Sequence, residues 1–210
     1  MGFALVASAL EYNNAENLAF RPNWNISASA GTTIYVAEGN EFWNPNKLCT
    51  LSFKENGGFI ARMGAGYNYT PVIGINGLLS YAVLKWPDRR FKNPDGSFKE
   101  VVFNAGNATI DLSINISNWW AGYNAKRWVN FIAFAGGGVA YRPKGDFPTK
   151  LFSGIVRGGG QANLRLSPKL DISCALQGNL VSDQFNGFVV NTPFELQAGL
   201  TLGFVYHFQK

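Results

Sequence analysis

No apolar run in this chain reaches the roughly 18 residues that a membrane-spanning helix needs, so a helical span is excluded. Histidine and cysteine are almost absent: one His, at 207, and two Cys, at 49 and 174. So small and scattered a set cannot build a metal centre, which needs three or four convergent ligands, and the expectation is no metal and no cofactor. His207 falls at the far end of the last strand, whereas a barrel-embedded hydrolase or acyltransferase needs its nucleophile and base near the outer leaflet, so no catalytic residue is assigned and such an enzyme is disfavoured. Gly158-Gly159-Gly160 does not open a helix and is no phosphate loop. Charged residues make up only 15% of the chain, and the net charge of +5 comes from basic residues scattered through loops and strands. Nucleic-acid binding needs a basic stripe or patch, and there is none.

What the chain does have is alternation. From Phe194 to Phe208 every second residue is apolar, with Glu195, Gln197, Gly199, Thr201, Gly203, Val205 and His207 between them. A period of two marks an extended strand with two unlike faces. At this length it exceeds the usual soluble strand of about 5–6 residues and reaches the roughly 9–11 needed to cross a bilayer at a tilt. The same pattern recurs over Trp24–Val36, Phe59–Tyr69, Ile73–Leu84, Asn107–Ile116, Ile155–Leu166 and Leu170–Val181. An eighth strand, near Trp128 to Tyr141, is apolar on both faces and its parity stays open.

Charge decides which face is wet. The apolar parity of the seven readable strands carries no Asp, Glu, Lys or Arg, while the other carries Arg62, Asp111, Arg157, Arg165, Asp171 and Glu195. A soluble lipid-carrying barrel reverses this, with an apolar lumen and a charged exterior. A greasy outside and a polar inside are the membrane β-barrel pattern. The mean hydropathy of −0.03 agrees, since half of every strand is polar. The 24 glycines suit a crowded lumen, and an aromatic content of 15% suits interfacial girdles. The expected fold is all-β: one eight-stranded antiparallel up-and-down transmembrane barrel, closed by pairing of the first strand with the last. Closure follows because an open edge in lipid leaves backbone groups unpaired.

Connections alternate between short and long. Thr70–Val72 and Ser167–Lys169 are tight Pro-containing turns, and Ser117–Lys126 is somewhat longer. The stretches Ala37–Gly57, Trp86–Glu100, Arg142–Lys150 and Asp183–Pro193 are read as long loops. Short turns in the periplasm and long loops outside would put both termini on the periplasmic side of a bacterial outer membrane. Pairing Leu166 with Leu170 would set Arg165 opposite Asp171, and pairing Tyr69 with Ile73 would set Asn68 opposite Gly74. Residues 1–9 end in Ala7-Ser8-Ala9, a small-x-small pattern expected of a signal-peptide remnant, and residues 10–22 are then a periplasmic lead-in to a barrel over 23–210.

The segment around Thr109–Gly138 resembles the middle of the OmpA-like N-terminal barrels of Bacteroidetes outer membranes. The pattern NxSNxxxGYNxKR is carried by Asn115, Ser117, Asn118, Gly122, Tyr123, Asn124, Lys126 and Arg127. The opening strand after Pro22-Asn23-Trp24 and the stretch Ser182–Gly187 are also similar, so the resemblance covers about Asn23 to Lys210. Thr201, Gly203, Tyr206 and Phe208 resemble the C-terminal signal read by the outer-membrane assembly machinery. The family often continues into a peptidoglycan-binding domain, and the expectation here is a stand-alone barrel.

The resemblance and the charges imply a structural and surface-interaction role. The inward Arg62, Arg157 and Arg165 balance Asp111, Asp171 and Glu195, which reads as an ionic plug because isolated buried ions are very costly. The alternative is a small channel for ions or solutes. Arg89, Arg90, Arg142 and Lys144 lie in two net-basic loops and are candidates for contact with lipopolysaccharide phosphates. An external ligand or envelope protein is a further possible partner. Cys174 is expected to face lipid and Cys49 to sit in the first loop, which makes a disulfide between them unfavourable. The four Asn-x-Ser/Thr sequences fall in or beside strands and read as coincidental.

Overall fold

The computed structural model describes residues 20–36, 56–96, 98–143, 152–182, 185 and 194–208; the side chains of 87–92 and 98 lie outside that description. Eight strands close into one antiparallel barrel in sequence order. They are β1 (Asn23–Val36), β2 (Gly57–Asn68), β3 (Ile73–Lys92), β4 (Phe98–Asn115), β5 (Val129–Tyr141), β6 (Phe152–Ser167), β7 (Leu170–Ser182) and β8 (Phe194–Phe208). Closure is by β1 on β8, with Trp24 opposite Phe208 and Val36 opposite Leu196.

The charge-based assignment of faces holds. Leu202 is 62% exposed on the outer surface while its neighbour Thr201 is 1% exposed in the lumen. Leu79, Ile110, Leu112, Val156, Leu176, Leu200 and Phe204 continue the outer apolar band around the barrel. Monomeric soluble proteins rarely expose contiguous apolar patches beyond a few hundred Å², so this surface requires an apolar environment. The parity of β5, which its sequence leaves open, is settled by burial. Asn130, Phe134 and Ala140 face in, and Phe131, Val139 and Tyr141 face out. Cys174 is exposed and free, and Cys49 lies outside the described residues.

Three expectations change. The stretch Trp86–Glu100 is not a loop for most of its length. β3 runs on to Lys92 and β4 starts at Phe98, with an irregularity between Asp88 and Lys92. β2 pairs with β3 only as far as Val83, so the rest of this hairpin is a two-stranded ribbon beyond the β2 edge. Charges on both strands hid it from a hydropathy reading, and cross-strand pairs such as Lys85–Glu100, 3.3 Å apart, suit a solvated ribbon. Second, Ile116–Ala121 forms a short helix, α1, at the start of what was expected to be a longer irregular connection. Third, Ser167 rather than Leu166 pairs with Leu170. A bulge takes up the difference, while Arg165 still faces Asp171. The pairing of Asn68 with Gly74 is as expected.

Candidate functional site

The lumen is the candidate site, and it is organised in three levels. One end of the barrel bears the tight turns, the start of β1 and the end of β8 (the turn end); the other is the loop end. The six inward charges expected to form one plug are distributed among all three levels.

At the turn end Arg165 Nε lies 3.5 Å from Asp171 Oδ1, and His207 Nε2 lies 3.0 Å from Asp171 Oδ2. Arg165 Nη1 also donates to the carbonyl of Ala125 at 2.6 Å. This end is tied together by the motif residues of the 115–127 segment. Asn115 caps α1 by accepting from the Asn118 amide at 3.0 Å. Asn118 Nδ2 donates to Pro71 O at 2.7 Å, which links α1 to the β2–β3 turn. Arg127 donates to Asn118 Oδ1 at 2.7 Å and to Gly122 O at 2.9 Å. Ser117 Oγ accepts from the Phe131 amide at 2.8 Å. Gly122 has φ 72°, a conformation that favours glycine. The repeated Asn, Ser, Gly and Arg of this segment are therefore fold-forming. A cavity of about 670 Å³ opens here, lined among others by Phe20, Asn68, Tyr123, Asn130 and Asn163.

The middle level is a polar lattice. Arg157 Nε lies 3.4 Å from Asp111 Oδ2, with both side chains almost wholly buried. Arg157 Nη2 donates to Gln177 Oε1 at 2.9 Å, and its guanidinium stacks over Phe134 at 4.9 Å. Arg62 reaches in from β2 and donates to Ser29 Oγ at 3.1 Å, to Gln177 and to Thr201. Gln177 thus joins both guanidiniums. Below them lies a smaller cavity of about 90 Å³.

The loop-end level is mainly apolar. Tyr35, Ile60, Ala82, Leu84, Trp86, Ala105, Ala140, Ile155, Val181 and Phe185 form one buried cluster, with Val101 and Phe103 packed against it. Phe103 of β4 meets Tyr35 of β1 edge-to-face at 5.3 Å and Phe185 at 6.1 Å. β1 and β4 lie far apart in the strand order, so this contact crosses the lumen. Glu195 is 1% exposed and accepts a hydrogen bond from the Tyr35 hydroxyl. The inward Ile60, Ala82, Leu84, Ile155 and Val181 were visible in the sequence as apolar residues on the polar parity. They signal this seal, which charge counting missed.

Among the proposed lipopolysaccharide contacts, Arg142 is a correction. It is 5% exposed and its guanidinium lies over Phe103 at 5.6 Å. Burial pushes it below its ordinary pKa, and the charges of Tyr35 and Glu195 oppose that shift. An arginine held inside the loop-end cluster cannot reach a lipid headgroup. Arg89 and Arg90 belong to β3, but their side chains, and all of Lys144, are outside the described residues.

Of the C-terminal pattern, Thr201 holds Arg62 in the lumen. Gly203 sits where a Cβ would come 2.1 Å from Ala28 O, so close approach of β8 to β1 requires glycine there. Tyr206 and Phe208 face outward and pack edge-to-face at 5.1 Å.

No protein-family model matches the chain, and no curated protein matches its sequence. Solved structures do match its fold. Neisserial surface protein A superposes with a TM-score of 0.51 at 14% identity, over 90% of this chain and 100% of that one. The outer membrane protein OprG of Pseudomonas aeruginosa gives 0.48 at 9% identity, over 89% and 96%. A major outer membrane protein of Thermus thermophilus gives 0.47 at 14% identity, over 90% and 100%. At these identities the likeness to Neisserial surface protein A shows a shared eight-stranded barrel fold.

Proposed function

We propose that the protein is an integral barrel of a bacterial outer membrane with a closed lumen, serving a structural and surface-interaction role. The observation that carries this reading is the apolar cluster across the loop end of the lumen, set above the Arg62–Arg157–Asp111 lattice. The exposed apolar band supports membrane residence, because each strand exceeds the roughly 9–11 residues a tilted span needs. Short connections at one end support a periplasmic location for the termini, with the long loops extracellular. Thr201, Gly203, Tyr206 and Phe208 are proposed as the signal for the assembly machinery. Replacement Phe208→Asp is expected to lower the amount reaching the membrane, and wild-type levels would overturn that role.

Arg89, Arg90 and Lys144 are proposed to meet lipopolysaccharide phosphates, each contributing about 1 kcal/mol at an anionic surface. Neutralising the three together is expected to reduce co-purified lipopolysaccharide while leaving the barrel folded; unchanged retention would reject the contact. An enzymatic role has little support. His207 bonds to Asp171, and no nucleophile is hydrogen-bonded to it among the described residues.

A second reading, a small channel for ions or solutes, is favoured by the cavities of about 670 Å³ at the turn end and about 90 Å³ just below the middle lattice. Conduction would require the loop-end cluster to move. In planar bilayers the closed reading expects no unit conductance from the purified protein. Steady, protein-dependent conductance steps would replace it with the channel.

A further inference from the structure

The turn-end cavity combines polar and apolar walls at the open end of the lumen. Its volume of about 670 Å³ falls within the roughly 300–1,000 Å³ of small-molecule sites. Its polar lining is rich in carboxamides, among them Asn23, Asn68, Asn115, Asn130 and Asn163. Asn130 and Asn163 are 6% and 4% exposed and both line it. Their oxygens accept from Asn115 at 3.4 Å and from Gln161 at 2.6 Å, which leaves their NH₂ groups as donors within the cavity. Asn68 and Asn23 add a second amide pair, joined at 3.0 Å. Amides supply donors and acceptors in fixed planes, which matches a ligand whose hydroxyls both donate and accept.

Two further features narrow the class. Phe20 and Tyr123 meet edge-to-face at 5.5 Å among the lining residues, giving an apolar wall against which the C–H face of a sugar ring can pack. Lys126 and Arg165 also line the cavity, and Asp171 is its one acidic lining residue. Asp171 already engages Arg165 and His207, and the exposed Lys126 sets a positive charge at the rim.

We propose that the turn-end cavity binds a small sugar carrying a carboxylate. The amides hold the ring hydroxyls, Phe20 and Tyr123 take one ring face, and Lys126 at the rim meets the acid. This goes beyond the closed-lumen reading and is independent of it, since the cavity lies on the turn side of the seal.

The test is saturation-transfer NMR and calorimetry on the full chain in detergent, with glucuronate, glucose and acetate as probes. Saturable glucuronate binding is expected, with glucose weaker by about tenfold for the lost charge-assisted contact and acetate not retained. Asn130→Ala with Asn163→Ala should weaken glucuronate by at least about tenfold. Should that pair disturb folding, as judged by heat-modifiable migration, the exposed-side variants Tyr123→Ala and Lys126→Gln serve instead. Tyr123→Ala should weaken both sugars, and Lys126→Gln should weaken glucuronate alone. Absence of saturable glucuronate binding, equal binding of glucose and glucuronate, or affinities untouched by these variants would overturn the proposal. None of these outcomes bears on conductance, so failure here leaves the closed-lumen reading to its own test.

Discussion

The two ends of the lumen are built from opposite chemistry on the same eight strands. At the loop end, Leu84, Ile60, Val181 and Trp86 replace the polar inward residues and pack with Tyr35 and Phe185 into a buried cluster. At the turn end, the same inward parity carries Asn68, Asn130, Asn163, Arg165 and His207 around an open cavity. A polar lumen is therefore not the same thing as an open one. Burial of aliphatic side chains closes one end at about 25 cal/mol per Å². Paired charges in the middle contribute less net stability, because their desolvation offsets their attraction.

Breaking the middle level should have the largest effect. Asp111→Ala would leave Arg157 and Arg62 without their nearest carboxylate, and breaking a buried pair costs about 3–5 kcal/mol. The urea midpoint of the barrel in detergent should fall accordingly. A change within about 0.5 kcal/mol would mean the lattice is satisfied by water instead. The loop end comes next. Leu84→Ala removes a fully buried aliphatic side chain and should cost about 3 kcal/mol. A smaller loss than that of an outward Leu202→Ala control would argue against a packed seal. The turn end should be the most tolerant. Arg127→Ala removes the donor to Asn118 and Gly122 and should cost about 1 kcal/mol, seen as faster amide exchange confined to 116–127. Slowed or unchanged exchange there would mean α1 is held by other contacts.

Much of the barrel was legible because each strand carries its own two-residue period and its own charges. Closure of β1 on β8, the facing of Arg165 and Asp171, and the outward placement of Leu200 and Phe204 all follow from that. What was not legible has physical causes. β5 has apolar residues on both faces because Phe134 stacks under Arg157 inside while Phe131 faces out, so periodicity alone has nothing to separate. The β3–β4 ribbon reads as a loop because its strands carry solvated charges. Arg142 looks like a loop cation because only tertiary packing against Phe103 shows that it is enclosed. The ionic plug was an overestimate of one network. Arg157 and Arg165 are eight residues apart on β6, roughly 26 Å at about 3.3 Å per residue, so their carboxylate partners belong to separate levels.

A lumen sealed at the loop end and open at the turn end admits a reagent to its cavity from one side only. With Cys49 and Cys174 replaced by alanine, Asn130→Cys places a thiol in the turn-end cavity, and a charged, membrane-impermeant thiol reagent can be offered to either face of oriented vesicles. Rapid modification is expected from the turn side and none from the loop side. Labelling from the loop side, or from neither, would contradict this arrangement.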